Sequence, residues 1–156
     1  MADKVTVRDF LKLKGKKKIV MITAYDYPTS KVVSEISEVD SILVGDSLGM
    51  VVYGLSNTLG VTLDMMIRHT EAVARAKPRQ LIVADMPFLT YEASVAEAVK
   101  NAGELARAGA EAVKLEGGEE VADVVRAIVR AGIPVVGHIG MTPQRFLRLG
   151  GFRTVG

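Results

Sequence analysis

The sequence predicts a parallel α/β protein of the (β/α)8 barrel class, and three observations carry that expectation. Apolar runs of strand length alternate with amphipathic stretches of helical period, the pattern of a parallel sheet wrapped by helices. The strand-helix repeats are nearly even and joined by short turns. The runs at residues 41–47, 81–85, 112–118 and 135–138 each carry a carboxylate or an imidazole at or near their C-terminal end, and in such a barrel the strand ends converge on one face.

Taken in order, a basic opening holds a short helix at residues 7–13, and residues 19–24 read as a first buried strand ending at Tyr25 and Asp26. Pro28 suits a first helical turn, so residues 28–38 are expected to be helical ahead of a strand at 41–45. Leu63, Met66, Ile67, Thr70, Val73 and Ala74 share one helical face behind Thr62 as N-cap, with Lys77 and Pro78 as the stop. After the strand at 81–85, Ser94 and Glu97 have the spacing of a capping box. Val95, Ala98, Val99, Ala102, Leu105 and Ala106 form the apolar stripe of that helix, which Gly109 ends. A strand at 112–115 follows, then a helix with Val121, Val124, Val125 and Ile128 as its stripe and Gly132 as its stop. Pro134 opens a fifth strand, and Thr142 with Pro143 reads as cap and first turn of a short helix at 144–149.

A doubly wound sheet can stop at five strands, whereas a barrel needs eight. The even repeats and the polar groups on adjacent strands favour the barrel. Residues 1–156 are therefore expected to be the N-terminal part of a single (β/α)8 barrel domain, supplying about its first five strands, with 150–156 in the loop after the fifth.

Composition narrows the function. The 156 residues are 49% hydrophobic, enough for a sizeable core, and contain 20 basic and 18 acidic side chains for a net charge of +2. That balance is too even for a nucleic-acid binder by charge alone. Lys12, Lys14, Lys16, Lys17 and Lys18 read as a solvated entry to the first strand rather than a phosphate patch. No cysteine is present, which excludes a disulfide framework and a thiolate metal site within these residues. No apolar stretch approaches the length of a membrane span, and the start lacks a signal peptide's apolar core, so a cytoplasmic protein without membrane association is expected.

The chemistry rests on few side chains. Asp46 and Ser47 lie between Gly45 and Gly49, where backbone can approach a ligand, although either also reads as a cap of the following turn. Asp85 precedes Met86 and Pro87 and reads equally as a turn former. Lys114 and Glu116 are two apart and so share a face. On an edge strand with a wet face they need no function, but on an inner barrel strand two charges are costly to bury unless paired or bound to ligand. His138 reads as a core histidine or a site group, and His69 belongs to its helix without a role. Hard oxygens from Asp46, Asp85 and Glu116 suit Mg²⁺, and a divalent ion chelated by a 2-oxo acid stabilises an enolate. Lys114 would meet substrate negative charge, and Ser47 would donate to a substrate carboxylate or carbonyl oxygen.

The strings Ile22-Thr23-Ala24-Tyr25-Asp26, Gly45-Asp46-Ser47-Leu48-Gly49-Met50, Ala84-Asp85-Met86-Pro87-Phe88, Lys114-Leu115-Glu116-Gly117-Gly118 and Gly137-His138-Ile139-Gly140-Met141-Thr142-Pro143-Gln144 closely resemble the ketopantoate hydroxymethyltransferase family in order and spacing. The resemblance implies transfer of a hydroxymethyl group from 5,10-methylenetetrahydrofolate to 3-methyl-2-oxobutanoate, giving 2-dehydropantoate in pantothenate biosynthesis through a Mg²⁺-stabilised enolate. It implies a magnesium site of Asp46, Asp85 and Glu116, oxo-acid contacts from Asp46, Ser47, Asp85 and Lys114, and His138 as an accessory group. It further implies a glutamate general base on the sixth strand, expected after Gly156, so that this chain alone is inactive. Family members form homo-oligomers, commonly decamers. The rival readings are a Mg²⁺-dependent enolate-forming lyase or mutase of the phosphoenolpyruvate mutase/isocitrate lyase type and a non-catalytic barrel fragment. The lyases of that group use a cysteine-bearing motif, which this chain cannot supply.

Overall fold

A computed structural model describes residues 3–152. Five strands, β1 (Met21–Thr23), β2 (Ser41–Val44), β3 (Leu81–Asp85), β4 (Ala112–Glu116) and β5 (Val135–His138), form one sheet in that order. Every neighbouring pair is parallel, and the registers align Val44 with Ala84, Asp85 with Lys114 and Glu116 with His138. The polar residues expected at the strand ends therefore stand side by side.

Helices α1 (Val7–Lys12), α2 (Tyr27–Ser34), α3 (Leu48–Val51), α4 (Leu63–Arg75), α5 (Val95–Arg107), α6 (Ala122–Arg130) and α7 (Phe146–Leu149) are interleaved with the strands. Local chemistry starts them: Asp26, Thr62 and Ser94 each accept a main-chain N–H three residues on. Thr6 and Asp9 form a complete capping box that the sequence reading passed over. At Ser94 and Glu97 the serine half of the expected box is present, and the return bond from Glu97 is not made.

Side chains alternate across each strand, which gives the sheet two different faces. On one, Ile42, Val44, Ile82, Ala84, Val113 and Leu115 pack with Met66 and Val73 of α4, Ala102 and Leu105 of α5 and Ile128 of α6. On the other, Leu81, Val83 and Ala112 pack with Leu43 and Val136, and the covering layer is the N-terminal segment with Val5, Val7 and Phe10. This second face carries the polar strand ends. The main helices thus lie on one side only, unlike a doubly wound sheet.

The first strand is shorter than the apolar run suggests, and it is exposed rather than buried, with Met21 at 37% and Ile22 at 39%. Its register places it beside β2 alone, so hydrophobic residues there have no second neighbour to cover them. α2 stops at Ser34 instead of reaching residue 38, because the amide of Gln80 takes the carbonyls of Val33 and Ile36 at the helix end. α3 was not expected, and the last helix begins as a 3-10 turn, Pro143–Arg145. Thr142 makes no side-chain cap there; the Gln144 N–H it would serve donates to Glu116 instead. Closure into a barrel is not seen among the described residues, since β1 and β5 pair only with β2 and β4. Residues 153–156 of the expected final loop lie outside the described residues. Among the described residues no helix is long and apolar enough to cross a membrane.

Candidate active site at the strand ends

Three buried acids, Asp46, Asp85 and Glu116, arrive from three adjacent strands and are each no more than 5% exposed. Asp46 follows β2 by one turn, and its main-chain N–H donates to Asp85 Oδ2 at 3.0 Å. Gly45 makes the approach feasible: a Cβ there would stand 2.9 Å from Ser47 Oγ and 3.5 Å from Asp85 Oδ2. Lys114, one strand over, lies with Nζ 2.8 Å from Asp85 Oδ1. Apart from this ion pair, Asp85 Oδ1 is buried with no hydrogen-bond partner among the described residues.

Glu116 Oε1 is 3.1 Å from His138 Nδ1, and an ionised carboxylate can only accept, which puts the proton on Nδ1. Its other oxygen accepts the Gln144 N–H at 3.0 Å. Ser47 Oγ is 2.8 Å from the Tyr25 hydroxyl. His69 stands behind, with Nδ1 2.5 Å from the Tyr25 carbonyl and Nε2 2.9 Å from the Tyr53 hydroxyl. It fastens the end of β1 and stays out of the site, in keeping with its assignment to the helix.

Electrostatics mark the cluster as short of positive charge. Burial pushes the Asp46 carboxyl up to about 7, and the neighbouring Asp85 charge adds to this, against the hydrogen bond from Gln144. Burial also raises Asp85, against the attraction of Lys114, and raises Glu116, against the Gln144 N–H and Lys114. His138 is lowered by burial and by Lys114, which keeps it neutral near pH 7. Like charges on neighbouring carboxylates favour protonation unless a cation joins them.

A hard divalent ion suits this donor set. The oxygens are carboxylates, one of them is buried without a hydrogen bond, and the local charge is in deficit. Mg²⁺ needs only one or two protein carboxylates, the remaining positions going to water and substrate oxygens. Among the described residues no three His, Cys, Asp or Glu side chains are arranged to hold an ion together. Gln144 links two of the acids, its side-chain Nε2 donating to Asp46 Oδ2 at 2.8 Å and its main-chain N–H to Glu116 Oε2 at 3.0 Å. The structure thus brings Asp46, Ser47, Asp85, Lys114, Glu116 and His138 to one mouth, as the sequence reading expected, with Asp46 and Asp85 as the close pair.

Sequence reasoning gave no part to Gln144, Tyr91 or the Tyr25 hydroxyl. Tyr91, 2% exposed, donates its O–H to Gln144 Oε1 at 2.6 Å and accepts the Glu116 N–H at 3.2 Å. A usable signal existed for Gln144. It is one of only two glutamines in the chain and sits six residues beyond His138 in the string that carried the resemblance.

A parallel α/β sheet with acids gathered at its strand ends is the class these features define, and solved structures share the fold. Phosphonopyruvate hydrolase, in a complex with oxalate and Mg²⁺, superposes with a TM-score of 0.69 at 14% identity, over 88% of this chain and 51% of that one. For 2,3-dimethylmalate lyase, a phosphoenolpyruvate mutase/isocitrate lyase superfamily member, the TM-score is 0.62 at 19% identity, over 85% of this chain and 53% of that one. At these identities the likeness is one of fold alone. Sequence defines the family: residues 4–156 match the model of ketopantoate hydroxymethyltransferase, and the chain belongs to that family. The 3-methyl-2-oxobutanoate hydroxymethyltransferase of Saccharolobus solfataricus is 70% identical over 154 residues, 98% of this chain and 57% of that protein. The protein of the same name from Sulfurisphaera tokodaii is 70% identical over 155 residues, 99% of this chain and 58% of its own length. The chain thus spans somewhat more than half the length of these relatives.

Proposed function

We propose that the protein containing this chain transfers a hydroxymethyl group from 5,10-methylenetetrahydrofolate to 3-methyl-2-oxobutanoate, giving 2-dehydropantoate, and that the sheet is part of a (β/α)8 barrel. One-sided helix cover and strand ends converging on one mouth support the barrel. The observation that carries the reaction is the juxtaposition of Asp46, Asp85 and Glu116, all with carboxyls raised by burial, beside Lys114 and Ser47.

In this reading Asp46 and Asp85, with Glu116, would hold Mg²⁺, which would supply a Lewis acid that draws electron density from the 2-oxo group. Lys114 balances the charge of Asp85 and faces the substrate carboxylate. Tyr25 and Ser47 share a hydrogen bond of 2.8 Å, and with the tyrosine as its donor the serine proton is left for a substrate oxygen. His138, held on Glu116 with its proton on Nδ1, orients that acid rather than taking a proton from carbon. The proton on C3 of the oxo acid would pass to a glutamate general base on a sixth strand, as the family resemblance implies. Exposed apolar side chains of Val51, Val52 and Tyr53 on and just after α3 support assembly into a homo-oligomer.

Exchange of the C3 hydrogen of 3-methyl-2-oxobutanoate for deuterium, followed by proton NMR with full-length protein and Mg²⁺, tests this. Exchange is expected without folate and is expected to stop in EDTA. Exchange persisting in EDTA would sink the proposal.

A further inference from the structure

Gln144 is 4% exposed and every polar atom of its side chain is engaged. Nε2 donates to Asp46 Oδ2 at 2.8 Å and to the Met86 carbonyl at 2.9 Å, and Oε1 accepts the Tyr91 hydroxyl at 2.6 Å. Both amide protons meet oxygens and the amide oxygen meets a hydroxyl, so the amide has a single orientation. Its main-chain N–H holds Glu116 Oε2 at 3.0 Å. One residue from the turn after β5 therefore grips two of the three acids across 98 and 28 residues of sequence.

We propose that Gln144 is a positioning residue that sets which oxygens a divalent cation meets, an inference that rests on the cation site proposed above. Its amide commits Asp46 Oδ2 and leaves Oδ1 for a cation, while the Asp46 N–H holds Asp85 by Oδ2 and leaves Asp85 Oδ1 with only the Lys114 ammonium beside it. Its main chain draws Glu116 away toward the β5 side, where His138 completes the hold. Tyr91 keeps the amide from turning over, an exchange that would set the amide oxygen against the Asp46 carboxylate. The hydrogen bonds are local, but their effect is on the ion.

Isothermal calorimetry with Mg²⁺ alone, on wild type, Gln144→Met and Tyr91→Phe, decides the matter, with thermal unfolding in EDTA run beside it. Methionine keeps the length and loses both donors and the acceptor, so Mg²⁺ affinity is expected to fall by roughly ten-fold or more, the usual effect of removing an outer hydrogen bond on a ligand. Tyr91→Phe keeps both amide donors and removes only the bond that Oε1 accepts, and a smaller loss in the same direction is expected. A lowered melting temperature with unchanged Mg²⁺ affinity in both variants would make Gln144 a structural residue only and overturn the proposal. Should Gln144→Met not fold, unchanged affinity in Tyr91→Phe is enough to overturn it. If wild type itself binds no Mg²⁺, the cation site fails and this inference with it, an outcome distinct from the other two.

Discussion

Asp46 lies beside Asp85 with its carboxyl pushed from 3.8 up to about 7, so the metal-free protein should loosen as pH rises through that value. Between those limits the folded state keeps a proton that the unfolded chain has released. Protonation therefore favours the folded state, and the stability it brings is complete below pH 3.8 and lost above about 7. At about 1.4 kcal/mol for each pH unit the displacement is worth about 4 kcal/mol at most, and sharing of the repulsion with Asp85 reduces it to roughly 2–3. Between pH 5 and pH 8 only about two of those three units are crossed, roughly 1.5–2 kcal/mol after that reduction, which corresponds to a fall in Tm of roughly 3–8 °C. Circular dichroism melts in EDTA across that range measure it. Asp46→Asn removes the charge while keeping an oxygen for Gln144, and should raise Tm at pH 8 and flatten the profile. Saturating Mg²⁺ should flatten it in wild type. A flat wild-type profile in EDTA, or an Asp46→Asn protein less stable than wild type at pH 8, would refute the crowding of these carboxylates.

Lys114→Met strips the cation from Asp85 in a buried pair, so metal-free stability should fall by about 3 kcal/mol at pH 8 and by less at pH 5, read from urea melts at the two values. Equal losses at both would show that Lys114 does not balance the acid cluster. Gly109 follows α5 at φ +113°, and a Cβ there would stand 2.4 Å from Ala74 Cβ, so Gly109→Ala should cost on the order of 2 kcal/mol. Gly103, inside α5 with open space at its Cβ, should gain about 0.5–1 kcal/mol on the same substitution, and matching signs in denaturant melts would count against both assignments.

The limits of the sequence reading follow from the range of the forces involved. Thr62, Ser94 and Pro78 act on residues a turn away, and the elements they bound came out as read. β3 came out residue for residue, because a short apolar run ending in Asp85 is buried on both faces. β1 was read as buried since its residues are equally apolar, yet burial depends on a neighbouring strand, and none flanks its outer side among the described residues. The acids could be placed at one mouth from strand periodicity, which fixes faces and ends. Gln144 could not be. Its bond to Asp46 spans 98 residues, and its local setting after Thr142 and Pro143 reads as an ordinary helix start.

Neighbours in the sheet are also neighbours in the sequence, so each new strand can dock on an edge already made once its helical crossover has closed. The N-terminal segment breaks this rule. Lys4 bonds the Gln80 carbonyl and pairs with Glu111, partners 76 and 107 residues further along. Residues 4–10 precede every strand of this sheet and must wait for β4 before their seat exists, so the floor beneath Leu81, Val83 and Ala112 stays open until Val5, Val7 and Phe10 return to it. A segment made ahead of these strands thus settles only after them.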